Sequence, residues 1–413
     1  MMRVIKGIFC CSVCFLLFYS ELFAQRGDGS LYSSYGVGLL SEDNYGQAAR
    51  LSGSGVAVRS PYFLNSINPA NGTAVGAYNF MVDAQVDYRL MNIQTSSEEI
   101  TINRTNLSLL SLWFRTSRKS AMTIGIMPMS SVDYSFVEKT YFAGSSTPFD
   151  KSISGYGDIN KVFANFAFDI FPSLSLGVRP YYAFGQINHE THYNTEEVTE
   201  GTVESFIMND RDNYNGYGAD LGVQLRAYKK EDKQLNIGLA YQLPSKLKAK
   251  ATSFAYLAGE DSVIYEIPRS EEINYIGTSI KGGIAYQSSK WILAADYSYK
   301  LFTSEWEDYT NSHRISLGAE YLPNFYSVEF LDKMNFSGGL FYDTGYIMSD
   351  GKPVSIKGGS IGIGVPIHGF TRVNLSYHYE QKGSISQLSN EITHGISLNL
   401  NLADIWFQKS AYK

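Results

Sequence analysis

The stretch 77–90, AYNFMVDAQVDYRL, restricts the fold more than any other part of the chain. Its even positions are Tyr78, Phe80, Val82, Ala84, Val86, Tyr88 and Leu90; its odd ones are Asn79, Met81, Asp83, Gln85, Asp87 and Arg89. Such alternation gives a strand one apolar and one polar face. A soluble strand averages about 5–6 residues, whereas a barrel strand needs roughly 9–11 to cross a bilayer at a tilt of about 45°. This run suits a crossing. Hydrocarbon offers no partner to an unpaired backbone group, so such strands must close on one another.

Composition agrees with an all-β transmembrane antiparallel barrel. Aromatic residues make up 14% of the chain, which suits the aromatic girdles of outer-membrane barrels. Fourteen strand candidates follow from residue 77, near 77–92, 101–116, 120–137, 154–170, 173–190, 212–228, 233–250, 271–287, 290–303, 311–322, 333–348, 355–366, 370–384 and 391–403. The number is even, as in bacterial single-chain barrels. Connections alternate between long (138–153, 191–211, 251–270) and short (117–119, 171–172, 229–232, 288–289). Long loops belong outside and short turns in the periplasm.

The ends of the chain place it. Residues 1–24 read as a cleaved export signal, with Arg3 and Lys6 before an apolar run too short to span a membrane as a helix. All three cysteines, Cys10, Cys11 and Cys14, fall inside it. The mature chain then has no disulfide and no thiolate metal site. Residues 25–76, rich in Gly, Ser and Asn, are expected to fold into the barrel mouth as a plug, because so long a segment rarely stays free. Within it 46–52 and 55–60 are short strand candidates. The barrel would occupy 77–407, and 408–413 would form a short periplasmic tail. Trp406-Phe407 resembles the C-terminal aromatic signal read by barrel-assembly machinery.

The polar faces collect eight cations, Arg89, Lys161, Arg179, Arg226, Lys281, Lys300, Arg314 and Arg372, and eight carboxylates, Asp83, Asp87, Asp169, Asp220, Asp296, Glu320, Asp343 and Glu380. A lipid-facing Arg or Lys at mid-membrane costs about 2–4 kcal/mol, so these point inward. Asp83, Asp87, Arg89, Lys161, Arg179, Asp220 and Arg226 are expected to brace the wall and hold the plug as a paired network. The third strand carries Gly125 and Pro128. A proline cannot donate to a ladder, so Pro128 implies a break in the wall; Pro180 in the fifth strand raises the same expectation.

Three features converge: Ser66-Ile67-Asn68-Pro69-Ala70 before the barrel, a proline in the third strand, and fourteen strands. Together they resemble the long-chain fatty-acid transporter family (FadL/TodX type). The resemblance implies an N-terminal hatch around Asn68, Pro69 and Ala70. It also implies a third-strand kink at Gly125 and Pro128 opening the wall sideways, and a hydrophobic or amphipathic small molecule as cargo. Gly155-Tyr156-Gly157-Asp158-Ile159-Asn160-Lys161 is similar to the glycine-rich start of that family's fourth strand. The implied setting is the outer membrane of a Gram-negative cell, with membrane lipid and other outer-membrane proteins as neighbours. A non-transporting role in a secretion or assembly complex is the alternative.

Other signals point nowhere. His189-Glu190-Thr191-His192 is one residue short of a zinc helix motif, and on a strand its histidines face opposite sides. The glycine-rich run 358–364 lacks phosphate-loop spacing and reads as a thin wall. No catalytic set, cofactor site, metal site or basic block for nucleic acid is expected.

Overall fold

The structure, a computed structural model, describes residues 29–76, 80–141, 148–194, 205–257, 263–302, 308–324, 327, 329–368 and 371–404. The export signal 1–24, Trp406-Phe407 and the tail 408–413 lie outside them.

The barrel strands are β1 Phe80–Gln94, β2 Glu99–Ser117, β3 Ser120–Tyr141, β4 Pro148–Phe171, β5 Leu174–Asn194 and β6 Phe206–Lys230. Next come β7, in two runs Lys233–Gln242 and Ser245–Leu257, and β8, in three runs Val263–Pro268, Glu272–Ile276 and Thr278–Gln287. The ring continues with β9 Trp291–Leu301, β10 Ser312–Tyr321, β11 Asn335–Asp343, β12 Ile356–His368, β13 Thr371–Gly383 and β14 Asn390–Asp404. Each pairs antiparallel with its neighbours, and β14 pairs with β1 from Phe80↔Asp404 to Gln94↔Asn390, closing the barrel.

Alternation sets which way each side chain points. On β1, Met81, Asp83, Gln85 and Asp87 are buried while Tyr88 and Leu90 are exposed. Around the ring Leu110, Val162, Leu239, Ile284, Leu340 and Ile361 stand 45–68% exposed on the outer face. An apolar surface continuous around a molecule marks contact with a membrane. Inside, Ser397, Asn399 and Asn401 of β14 are buried between the exposed Ile396, Leu398 and Leu402.

Three expectations need correction. Among the described residues, the polar connections 138–153, 191–211 and 251–270 are largely ladder: β3 reaches Tyr141, β4 begins at Pro148, β6 at Phe206 and β8 at Val263. Their polar residues keep pairing across strands, so β4 and β6, with 24 and 25 residues, outreach β10 and β11, with 10 and 9. The strand expected at 333–348 stops at Asp343, and a small hairpin of Met348–Ser349 with Lys352–Pro353 follows. The candidates 46–52 and 55–60 are not strands: Gln47–Arg50 is one helical turn, and the strand in this part of the chain is Leu39–Leu40.

Residues 29–76 lie within the ring. They enter at the long-loop end, where Tyr32 Oη donates to the Ser389 carbonyl (2.6 Å) and Leu31 N to Glu391 (2.9 Å). They leave at the short-turn end, where Val75 packs with Met81, Trp113, Ala121 and Ala403. Wall glycines make room for them. A Cβ on Gly238 would stand 2.2 Å from the Val56 carbonyl oxygen, and one on Gly362 2.6 Å from the Arg50 side chain. Within the glycine-rich run of β12 it is Gly362 that meets the segment, while Gly358, Gly359 and Gly364 lie against wall residues.

Candidate functional site: a gap in the wall and the segment that fills it

The ladder between β2 and β3 is incomplete. It runs from Ser117↔Ser120 to Leu110↔Ile126 and stops. Above that point β2 stays paired to β1 as far as Glu99, and β3 to β4 as far as Tyr141. The two strands therefore part while each remains anchored on its other side. Pro128 lies two positions beyond the last rung, where a residue without an N–H least disturbs the sheet. Gly125 belongs to the closed part: it pairs with Ser111, and a Cβ there would stand 2.7 Å from the Leu110 carbonyl oxygen. Pro180 opens nothing comparable. The β4–β5 ladder skips from Phe163↔Tyr181 to Phe166↔Val178 and resumes, and Pro180 itself pairs with Ala219 of β6.

The N-terminal segment occupies the edge that β3 exposes. Leu39 and Leu40 pair with Ser131 and Ser130, and Ser41 N donates to the Met129 carbonyl (2.9 Å). Asp133 N donates to Ser33 Oγ (3.0 Å), and Arg104 of β2 crosses the gap to ion-pair with Asp133. Beside this pairing lies a cavity of about 230 Å³. Leu107 and Ser108 of β2, Pro128 of β3, and Leu39, Leu40 and Tyr45 of the segment line it, together with the charged Arg89, Arg314, Asp343, Glu380 and Lys382. Leu107, which lines this cavity, is also one of the exposed outer-face residues.

Adjacent carboxylates, Glu42 and Asp43, anchor the segment just past its pairing with β3. Lys161 Nζ stands 3.0 Å from Asp43 Oδ1, and Arg179 bonds Asp43 as well as Asp220 Oδ2 (Nε, 2.8 Å) and the Ser66 carbonyl (2.6 Å). Lys281 Nζ lies 3.1 Å from Glu42, which also pairs with Lys300. Burial alone would raise both carboxyls. Lys161 and Arg179 outweigh it at Asp43, and Lys281 and Lys300 at Glu42, so both are held below the usual carboxylate range.

The seven charges expected to form one network are split. Lys161, Arg179 and Asp220 meet around Asp43. Asp87 accepts from Gln85 (2.9 Å) and Ser108 (2.5 Å), and Asp83 from Asn399 (2.5 Å). Arg89 lines the cavity, while Arg226 donates to the Pro172 carbonyl (2.9 Å) at the short-turn rim, away from the rest. The organising carboxylates Glu42 and Asp43 were missed, although they are adjacent acids in a segment otherwise poor in charge. Asp296 also holds the segment, accepting from Gly55 N (2.5 Å) and Val56 N (2.8 Å).

Asn68, Pro69 and Ala70 form the start of a short 3-10 helix, Pro69–Thr73. Asn68 caps it by accepting from Ala70 N (3.0 Å), and proline at the first position has no N–H to leave orphaned. The Asn68 amide also donates to the carbonyls of Val56 (2.9 Å) and, on the wall, Val223 (3.1 Å). Asn165 donates to the Pro69 carbonyl (3.1 Å). The turn rests on two glycines: a Cβ on Gly177 would lie 2.2 Å from Pro69 C, and one on Gly222 2.2 Å from Asn68 Oδ1.

The architecture has known counterparts. The Pseudomonas putida toluene transporter TodX superimposes with a TM-score of 0.60 at 14% identity, over 89% of this chain and 100% of that one. A Pseudomonas aeruginosa FadL homologue gives 0.62 at 12%, over 88% and 99%. The CymD monoaromatic hydrocarbon channel gives 0.58 at 14%, over 87% and 97%. At these identities the likeness establishes the FadL/TodX-type barrel fold. No curated protein matches by sequence. The model of the family described as BamG matches residues 4–413. The chain thus belongs to the BamG family, built on a FadL/TodX-type barrel.

Proposed function

We propose that the protein is an outer-membrane barrel, exported by its residues 1–24, through which hydrophobic or amphipathic small molecules pass and leave sideways. Residues 29–76 act as the plug, Asn68, Pro69 and Ala70 as its seat, and the gap beyond Gly125 and beside Pro128 as the exit. The observation that carries this reading is the β2–β3 ladder ending at Leu110↔Ile126 beside a cavity that touches both Pro128 and the outward Leu107. An apolar solute gains nothing by crossing water, and a side exit delivers it directly to hydrocarbon. The cavity's mixed lining favours a cargo with a polar end. The passage needs no chemical step. The structural counterparts described as toluene and aromatic-hydrocarbon channels support the cargo class.

A second reading makes the barrel a non-transporting subunit of an outer-membrane assembly or secretion complex. Its specific support is the family name, BamG, matched along almost the whole chain, which hints at a link with barrel assembly. The charged clamp on residues 42–43 suits a permanently closed scaffold equally well.

Uptake of a long-chain fatty acid into liposomes, with and without the protein, together with a mild-detergent pull-down, separates the readings. Protein-dependent uptake by a lone chain supports transport. Absent uptake with stoichiometric partner proteins supports the scaffold and removes the transport proposal.

A further inference from the structure

The break in β7 turns three lysines outward. In the run Lys233–Gln242, Asn236 and Ala240 are buried and Ile237 and Leu239 exposed, so even positions face the lumen. Leu243-Pro244 interrupts the strand, and beyond it Ser245, Leu247, Ala249 and Ala251 are buried. The alternation has inverted, and Lys246, Lys248 and Lys250 all stand exposed on the outer face. Their cross-strand partners are uncharged: Tyr217, Asn215 and Asn213 on β6, with Tyr275 and Ile273 opposite Lys246 and Lys248 on β8.

The height of the row follows from β6. Between outward Tyr228 and outward Tyr217, which are 53% and 76% exposed, the outer face carries Leu225, Val223, Leu221 and Ala219. At about 3.3 Å per residue and a tilt of about 45°, that interval rises about 26 Å. The apolar band of a transmembrane barrel is about 25 Å tall between its aromatic girdles. Tyr217 therefore marks the upper girdle. It packs on Tyr182 (5.0 Å between centroids), and the Lys246 ammonium lies 5.2 Å from the Tyr275 ring. The lysine row starts at this girdle and climbs away from the hydrocarbon.

We propose that the outward face of β7, through Lys246, Lys248 and Lys250, binds the phosphate-bearing headgroups of anionic lipid in the leaflet at the long-loop end. Three ammonium groups on one strand face, about two residue steps apart, sit at headgroup level; Lys246 and Lys248 have no carboxylate across either ladder, and only Lys250, at the top of the row, has one in register, Glu271 just beyond the end of the β8 ladder. An anionic leaflet attracts each of them. The proposal rests on the barrel lying in a bilayer and is independent of transport.

The test uses the full chain in vesicles of phosphatidylcholine with or without a bis-phosphorylated lipid A, followed by native mass spectrometry of lipid retained in mild detergent. The K246Q/K248Q/K250Q variant is expected to lose lipid A retention roughly a hundredfold, and K248Q alone about fivefold, the latter guarding against misfolding of the triple variant. K229Q/K230Q/K233Q, at the opposite rim, is expected to retain lipid A fully. Three results would overturn the proposal: equal retention by both β7 variants, displacement of the lipid by inorganic phosphate, or loss of a co-purifying protein while lipid retention is unchanged.

Discussion

Asp43 is one of the charged anchors of the N-terminal segment. Its carboxylate faces Lys161 and Arg179 inside the lumen, and Glu42 beside it faces Lys281 and Lys300. Removing one partner of a buried pair strands the other, at about 3–5 kcal/mol. Asp43→Asn is therefore expected to speed amide exchange across 39–46 while barrel amides stay protected; unchanged exchange there would deny the clamp. The pH dependence follows from the same pairs. Both carboxyls are held below their unfolded values of about 4, so the clamp contributes fully above that pH and fades as pH falls through the lower folded values. Exchange protection of the segment should be flat from neutral pH down to about 4 and drop only below it. A loss near neutrality would contradict the assignment.

Among the elements, the strands were largely legible and the segment was not. Alternation in β1 and β14 fixes which residues face hydrocarbon, because the side-chain period of a strand is two. Although the eleventh ends at Asp343 instead of 348, each of the fourteen strands overlaps the span given it by that pattern. It misjudged their upper ends, since polar residues above the membrane continue the ladder in β3 to β6 without an apolar face to announce it. It also passed over Pro244, whose break reverses the alternation in β7. Asn68-Pro69-Ala70 was visible as a motif, but its seat on Gly177 and Gly222 comes from strands more than a hundred residues away. That seat gives an element-scale prediction. A side chain at Gly222 meets Asn68 Oδ1 at 2.2 Å, so Gly222→Val should lift the turn and raise single-channel conductance in planar bilayers. Conductance equal to that of the unaltered protein would show that this contact does not seal the lumen.

At the scale of the molecule, the barrel is uneven in height and incompletely zipped, and the two properties go together. The unpaired upper part of β3 leans on β4, one of the longest strands, rather than on β2. The N-terminal segment threads the lumen from one end to the other and lends Leu39 and Leu40 to the unpaired edge. Opening the wall would therefore require that a two-residue strand, the Ser41–Met129 and Asp133–Ser33 hydrogen bonds and the Arg104–Asp133 pair let go, while the remaining ladders stay intact. The mature chain's expected lack of cysteine makes this testable directly. Leu39 and Ser131 are cross-strand partners, and such Cα atoms lie about 4.5–5.5 Å apart, within disulfide reach. In liposomes, the Leu39→Cys/Ser131→Cys protein should take up fatty acid when reduced, stop when oxidised, and recover on reduction. Uptake that continues unchanged with the disulfide formed would contradict passage through this gap.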